Sequence, residues 1–239
     1  MKRIILMVLK NILLVPYYWC RLCYYASHVD KYPELTRFKF LKEIVKRANR
    51  GGNVTIEAYG RENIPEENGF IFFPNHQGLY DVLAIVEACP RPFSVVAKKE
   101  VANVPLLKQV FACMKAYMID RSDIRQSMQV ISNVTAEVKK GRNYLIFAEG
   151  TRSKKGNHML EMKGGSFKSA TKAKCPIVPV ALLDSFKPFD TSSTAPVTVQ
   201  VHFLKPLYYE EYKDMKTTEI AKEVEERIES ELRRFDTEQ

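Results

Sequence analysis

Residues 70–81 read FIFFPNHQGLYD, and the fold turns on them. The run 70–73 is apolar and strand-like and ends at Pro74, while a helical pattern occupies residues 82–88. A strand that turns directly into a helix is the repeating unit of open α/β sheets, whose chemistry gathers at such turns. His76, Gly78 and Asp81 lie on this turn. On a continuous helix five residues rotate the chain by roughly 500°, leaving the His and Asp side chains about 140° apart. They can meet only if His76 stays on the turn and Asp81 occupies the first helical turn, with Gly78 taking a backbone conformation that other residues avoid. An Asp bonded to one imidazole nitrogen fixes the tautomer and frees the other nitrogen to accept a proton from a hydroxyl. The competing reading of an isolated H-x4-D is a helix-capping Asp81 beside a structural His76.

Outward from this turn, strand and helix alternate. Strands are expected at 54–59, 93–97, 116–119, 144–148, 177–182 and 197–203, and helices at 34–49, 104–113, 125–140 and 166–173. Gly51 and Gly52 read as a helix stop. The last element, 217–235, places Ile220, Val224, Ile228 and Leu232 on one stripe, as a docking helix does. The pattern predicts an α/β fold, a single domain with a mainly parallel or mixed sheet flanked by helices. Residues 1–50 form an apolar and basic helical segment, and residues 51–239 the α/β domain.

The 239 residues are 46% hydrophobic, enough for one sizeable core without covalent staples. Five cysteines, an odd number, lie mostly in apolar runs, which points to reduced thiols facing the cytosol. Cys20 and Cys23 form a C-x-x-C with no second pair and no suitably spaced His, so they read as packing residues, not zinc or redox ligands. Residues 4–25 are apolar but interrupted by Lys10, Asn11, Pro16 and Arg21, which disfavours a simple membrane-spanning helix. No acidic residue precedes Asp30, and Tyr17, Tyr18 and Trp19 suit headgroup depth, so one or two helices dipping into a single leaflet fit best. A cleaved signal peptide would need a small-residue site after the apolar part, which is missing. The net charge is +9, and residues 31–50 carry seven basic and two acidic side chains, as expected beside an anionic phospholipid surface. No nucleic-acid module is recognisable, so nucleic acid is not an expected partner.

Three further stretches place a cation after an expected strand: Arg121 in YMIDR, Arg152 in FAEGTRS, and Lys163 in MKGG, which opens a helix. Arg forks and helix N-terminal amides are common phosphate holders, although no Walker-type spacing is present. Together, NHQGLYD, YMIDR, FAEGTRS and MKGG followed by CPIVPVAL resemble, in order and spacing, the four blocks of the glycerolipid acyltransferases. The resemblance covers about residues 50–205 and is greatest to bacterial 1-acyl-sn-glycerol-3-phosphate acyltransferases. It implies His76 as base, Asp81 as its orienting partner, and Arg121 and Arg152 on the acceptor phosphate. Glu149 and Gly150, with Thr151, would shape the acceptor loop, and Pro179 falls in the fourth block. Lys98 and Lys163 are further candidates for substrate binding. Gly78, Ala148 and Lys115 depart from residues common in the family, though none removes a proposed catalytic group.

The implied reaction is acyl transfer from an acyl thioester to the 2-hydroxyl of lysophosphatidate, giving phosphatidic acid. Acyl carrier protein or coenzyme A would carry the donor, with no metal and no other cofactor. Oxyanion donors are expected among backbone N–H groups near the His turn. The expected location is the cytoplasmic face of the cell membrane, docked in one leaflet. An acyltransferase for glycerol 3-phosphate or another lysophospholipid, a thioester hydrolase, and a non-catalytic membrane-binding module are the alternatives. No G-x-S-x-G elbow supports a serine hydrolase.

Overall fold

The computed structural model describes residues 2–236. Three helices lead: α1 (Lys2–Lys10), α2 (Val15–Ser27) and α3 (Glu34–Gly51). There follow β1 (Val54–Tyr59), β2 (Ile71–Pro74), α4 (Asp81–Ala88), β3 (Ser94–Lys98), α5 (Leu107–Met114), β4 (Tyr117–Ile119), α6 (Ile124–Lys139) and β5 (Tyr144–Leu145). The chain ends with α7 (Lys168–Ala173), β6 (Ile177–Leu183), α8 (Lys187–Asp190), β7 (Val197–Phe203), α9 (Tyr209–Tyr212) and α10 (Thr217–Asp236). Among the described residues the strands make one mixed sheet in the order β1-β7-β6-β2-β5-β3-β4. Strands β6, β2, β5, β3 and β4 are parallel, whereas β7 runs against β6 and β1 follows β7. The fold is the α/β single domain with a helix-flanked mixed sheet that the alternation predicts.

Central position explains the sequence of β2. Ile71, Phe72 and Phe73 have no exposed surface, because a strand between two parallel neighbours is covered on both faces. Alternation sends Phe72 into the core under α1–α5, and Ile71 and Phe73 into the core under α6, α7 and α10. Phe73 stacks on Phe167 with centroids 4.1 Å apart. Ile220, Val224, Ile228 and Leu232 of α10 fill that second core. All five cysteines are free thiols.

The leading helices pack on the first face, with Met7, Leu22, Tyr25, Phe38, Phe40, Leu41 and Val45 in its core. Arg3 fastens α1. It is buried, and its guanidinium donates to the carbonyls of Gly52 at 2.5 Å, Asn53 at 3.4 Å, Ser193 at 3.0 Å and Ala195 at 2.9 Å. Gly51 and Gly52 do end α3, yet the left-handed residue is Asn53 (φ 55°). The two glycines matter by size: a Cβ on Gly51 would stand 2.7 Å from Asn11 Nδ2, and one on Gly52 would collide with Met7.

Helices α1 and α2 meet at 99°, and among the described residues no single helix is long and apolar enough to cross a membrane. Their elbow turns apolar side chains outward, with Ile5 57%, Leu9 61%, Ile12 53% and Leu13 91% exposed. Part of the basic stretch 31–50 serves the fold. Arg37 is buried and donates to the carbonyls of Tyr32 and Cys113, and Lys42 Nζ reaches Cys89 O at 2.7 Å.

Candidate active site

The carboxyl ends of β2, β3, β4, β5 and β6 open on one sheet edge, and each delivers a candidate residue there. His76 follows β2 and is 19% exposed at its side chain, while Asp81 at the start of α4 is fully buried. Asp81 Oδ2 lies 2.7 Å from His76 Nδ1. A carboxylate can only accept, so the Nδ1 proton points at Asp81 and Nε2 carries the free lone pair. The ring stacks on Phe147 with centroids 3.8 Å apart, which holds its plane.

Burying Asp81 is tolerable because its oxygens are fully engaged. Oδ2 also accepts from the N–H of Gln77 at 2.7 Å and of Gly78 at 3.1 Å, and Oδ1 from Ser185 Oγ at 2.6 Å. Asp81 thus closes the turn behind it instead of capping the helix ahead. Gly78 is required here by space, not by a left-handed φ: a Cβ would stand 2.5 Å from Asp190 Oδ2 and 3.1 Å from Phe186 Cα. The same bonds correct the oxyanion expectation. The N–H groups of Gln77 and Gly78 serve Asp81, and that of His76 serves Glu149 at 2.7 Å. These three donors are already used.

Glu149, buried after β5, bonds the N–H of His76 through Oε1 and that of Leu160 through Oε2, at 3.0 Å. It ties the His76 turn to the loop that follows β5. Burial pushes its pKa up to about 7, against the pull of those two backbone donors; the nearby Asp81 charge pushes the same way as burial. A reciprocal bond from Ser153 N–H to His76 O, 2.8 Å, fastens the turn from its other side.

The next residue, Gly150, has φ +81°, and a Cβ there would stand 3.2 Å from Arg121 Nη1 and 3.4 Å from Lys163 Nζ. Two cations from distant parts of the chain therefore cover one backbone position. Among the described residues neither Arg121 nor Lys163 has an ion-pair partner, and neither does Arg152, which is half-buried. Arg121, which feels the Glu100 charge, and Lys163 repel one another across Gly150 until an anion joins them, and Arg forks favour phosphate. Partial loss of water lowers the pKa of Arg121 even though it reaches solvent at the rim; it remains a cation. Lys98 ends β3 opposite Ile119 of β4, on the same edge but exposed, and Thr151 is exposed on the loop. The structure thus joins His76, Asp81 and Glu149 in one hydrogen-bonded unit and brings Arg121 and Lys163 close to Gly150, the residue after Glu149.

Sequence reasoning missed the support behind the dyad. Gln77 Oε1 accepts from the backbone N–H of Ser185 at 2.9 Å, and its Nε2 donates to Leu182 O at 2.7 Å and Asn157 Oδ1 at 2.9 Å. Asn75 clasps Leu182 by both backbone groups, at 3.0 and 2.7 Å. The polar residues 75 and 77, flanking His76 in a buried turn, were the available signal. No group of three or more His, Cys, Asp or Glu among the described residues is placed to hold a metal ion.

The chain is similar in sequence and in fold to known proteins. The 1-acyl-sn-glycerol-3-phosphate acyltransferase of Cocos nucifera is 31% identical over 169 residues, 70% of this chain and 53% of that protein. The enzyme of that name from Borreliella burgdorferi is 27% identical over 78% of this chain and 76% of its own length. The match thus spans only about half the coconut protein and 42% of a yeast relative. In fold, the crystal structure of the 1-acyl-sn-glycerophosphate (LPA) acyltransferase from Thermotoga maritima superposes with a TM-score of 0.75, at 21% identity, over 96% of this chain and 98% of that one. The family model described as Acyltransferase matches residues 55–183, which hold the His76–Asp81 pair, Arg121 and Glu149 to Lys163. The chain belongs to the Acyltransferase family.

Proposed function

We propose that this protein moves a fatty acyl group from an acyl thioester to the 2-hydroxyl of 1-acyl-sn-glycerol 3-phosphate, giving phosphatidic acid for phospholipid synthesis. The observation that carries the reading is an imidazole oriented by a buried carboxylate at 2.7 Å, on the same strand edge as cations that lack carboxylate partners. His76 Nε2 takes the hydroxyl proton as that oxygen attacks the thioester carbonyl. The tetrahedral centre collapses, the C–S bond breaks, and the thiolate leaves with the proton from the imidazolium. Among the described residues no hydroxyl or thiol is bonded to the His76 ring, so the acyl group passes directly between substrates. General-base assistance is worth roughly 10²–10⁴-fold, and positioning of the two substrates supplies much of the remainder.

Arg121, Lys163 and Arg152 hold the acceptor phosphate, and Lys98 and Thr151 line the approach along the same edge. The shared name of the coconut and Borreliella relatives supports lysophosphatidate as acceptor. Acyl carrier protein or coenzyme A carries the donor. The exposed apolar elbow of α1 and α2 docks in the membrane, on the cytosolic side. Incubating purified protein and acyl thioester with lysophosphatidate, glycerol 3-phosphate, another lysophospholipid or no acceptor tests the reading. Phosphatidic acid should form fastest. Release of free fatty acid at the same rate without acceptor would make the protein a hydrolase instead.

A further inference from the structure

A groove of 320 Å³ starts at the cations and runs beneath α6. Arg121, Gly150 and Lys163 line it together with Ser127, Ser166, Lys168 and Ser169, but most of its wall is aliphatic, including Ile131 and Val134 of α6, Val96 of β3 and Ile146 just after β5. The opposite wall is the turn before α7, including Gly165, and α6 and α7 pack against each other. Phe147 lines the groove and also stacks on the His76 ring. The catalytic imidazole and the groove therefore share one wall.

From this continuity we infer that the groove holds the aliphatic chain of the acceptor, with its phosphate on Arg121 and Lys163. The inference rests on the acyl-transfer reading above. An anion cradle that opens into an aliphatic cleft complements a molecule with a phosphate at one end and a chain at the other. In lysophosphatidate a three-carbon backbone joins the two, so a phosphate held at Gly150 sets the chain at the groove mouth. A thioester donor fits the reverse arrangement poorly, because the whole pantetheine arm separates its phosphate from its carbonyl. The volume lies at the small end of ligand cavities, about 300–1,000 Å³, and admits one chain, not two. Ile124 and Met128, 76% and 59% exposed at the rim, continue the aliphatic surface outward.

Filling the groove tests this. Ile131→Trp narrows it from the α6 side. Gly165→Leu narrows it from the other side, at a position where an added Cβ meets nothing within 4 Å, so the variant should fold. Each methylene held in the groove should raise kcat/KM by about fourfold in the wild type. Both variants should lose at least about tenfold on a lysophosphatidate with a fourteen-carbon chain and little on one with six carbons, with the donor chain-length profile unchanged. Equal loss on both acceptors, a shift in donor preference, or no change in either folded variant would overturn the inference. Calorimetric binding of decyl phosphate against ethyl phosphate gives a readout free of turnover, and the advantage of the longer chain should vanish in both variants. If the wild type acylates no acceptor but this advantage vanishes as expected, the proposed function fails and the groove assignment stands. If the wild type acylates lysophosphatidate and the advantage persists in the variants, the groove assignment alone falls.

Discussion

Gly150→Ala separates a phosphate cradle from a merely basic surface. The perturbation is one methyl group, placed 3.2 Å from Arg121 Nη1 and 3.4 Å from Lys163 Nζ, on a backbone at φ +81°. A residue with a Cβ in the left-handed region costs about 1–2 kcal/mol, so the melting temperature should fall modestly while the protein stays folded. The larger effect is local. Arg121 must give way by a few tenths of an ångström while Lys163 stays in ordinary contact, and the methyl group weakens a guanidinium–phosphate bond worth about 1.5–3 kcal/mol. Losing one such bond lowers kcat/KM for lysophosphatidate by about ten- to a hundredfold. A monoacylglycerol acceptor, which has the same hydroxyl and no phosphate, should lose little beyond its poor starting rate. The assay is kcat/KM for both acceptors, with a melting curve alongside. An equal loss on both would show that the methyl group disturbs the acceptor loop in general, and that Arg121 and Lys163 do not grip a phosphate.

Three further outcomes are expected. Arg152→Ala should lower kcat/KM for lysophosphatidate by about one to two powers of ten while the melting temperature hardly moves, since Arg152 supports no carboxylate among the described residues; Lys should rescue it only partly. Glu149 has its folded pKa raised from 4.5 to about 7 by burial. As pH rises through that window the unfolded chain sheds a proton that the folded chain keeps, so the wild type loses stability on the order of 3 kcal/mol. The stability gap between wild type and Glu149→Gln should therefore narrow from pH 4.5 to 7, and a constant gap in chemical denaturation would contradict the shift. Finally, Leu9→Gln with Leu13→Gln should release the protein from anionic phospholipid vesicles in high salt without changing its melting temperature, because these side chains are exposed while Arg3 and Met7 still fasten α1. Unchanged sedimentation with vesicles would place the membrane contact elsewhere.

What the sequence disclosed followed from local periodicity. The β2 turn and α4 were legible because an apolar run stops at Pro74 and a different period begins, and strands 54–59 and 197–203 lie where alternation places them. The strand expected at 144–148 is shorter, pairing only through Tyr144 and Leu145. Ile146 and Phe147 are apolar because they wall the groove and Ala148 because it is buried in the core, demands that look identical to strand burial in sequence. The start of α5 was missed for another reason. Lys99–Val101 take a 3-10 turn, and further turns lead to Leu106 with φ 72°, a conformation for which a leucine gives no signal. Arg121 and Lys163 are 42 positions apart, and only the crossover through α6 and β5 brings them over Gly150. Ser185 is likewise unremarkable until β6 delivers it to Asp81.

The most direct test of the account is acyl transfer from thioester to lysophosphatidate by purified His76→Ala, compared with the wild type at equal folded concentration. The side chain is partly exposed and Asp81 keeps its bonds from Gln77, Gly78 and Ser185, so the variant should stay folded while melting somewhat below the wild type. The account predicts that phosphatidic acid formation falls by roughly 10²–10⁴-fold, the share expected of a general base. Binding of decyl phosphate should be retained, since the cations are untouched. A folded His76→Ala protein that still forms phosphatidic acid at close to the wild-type rate would contradict it.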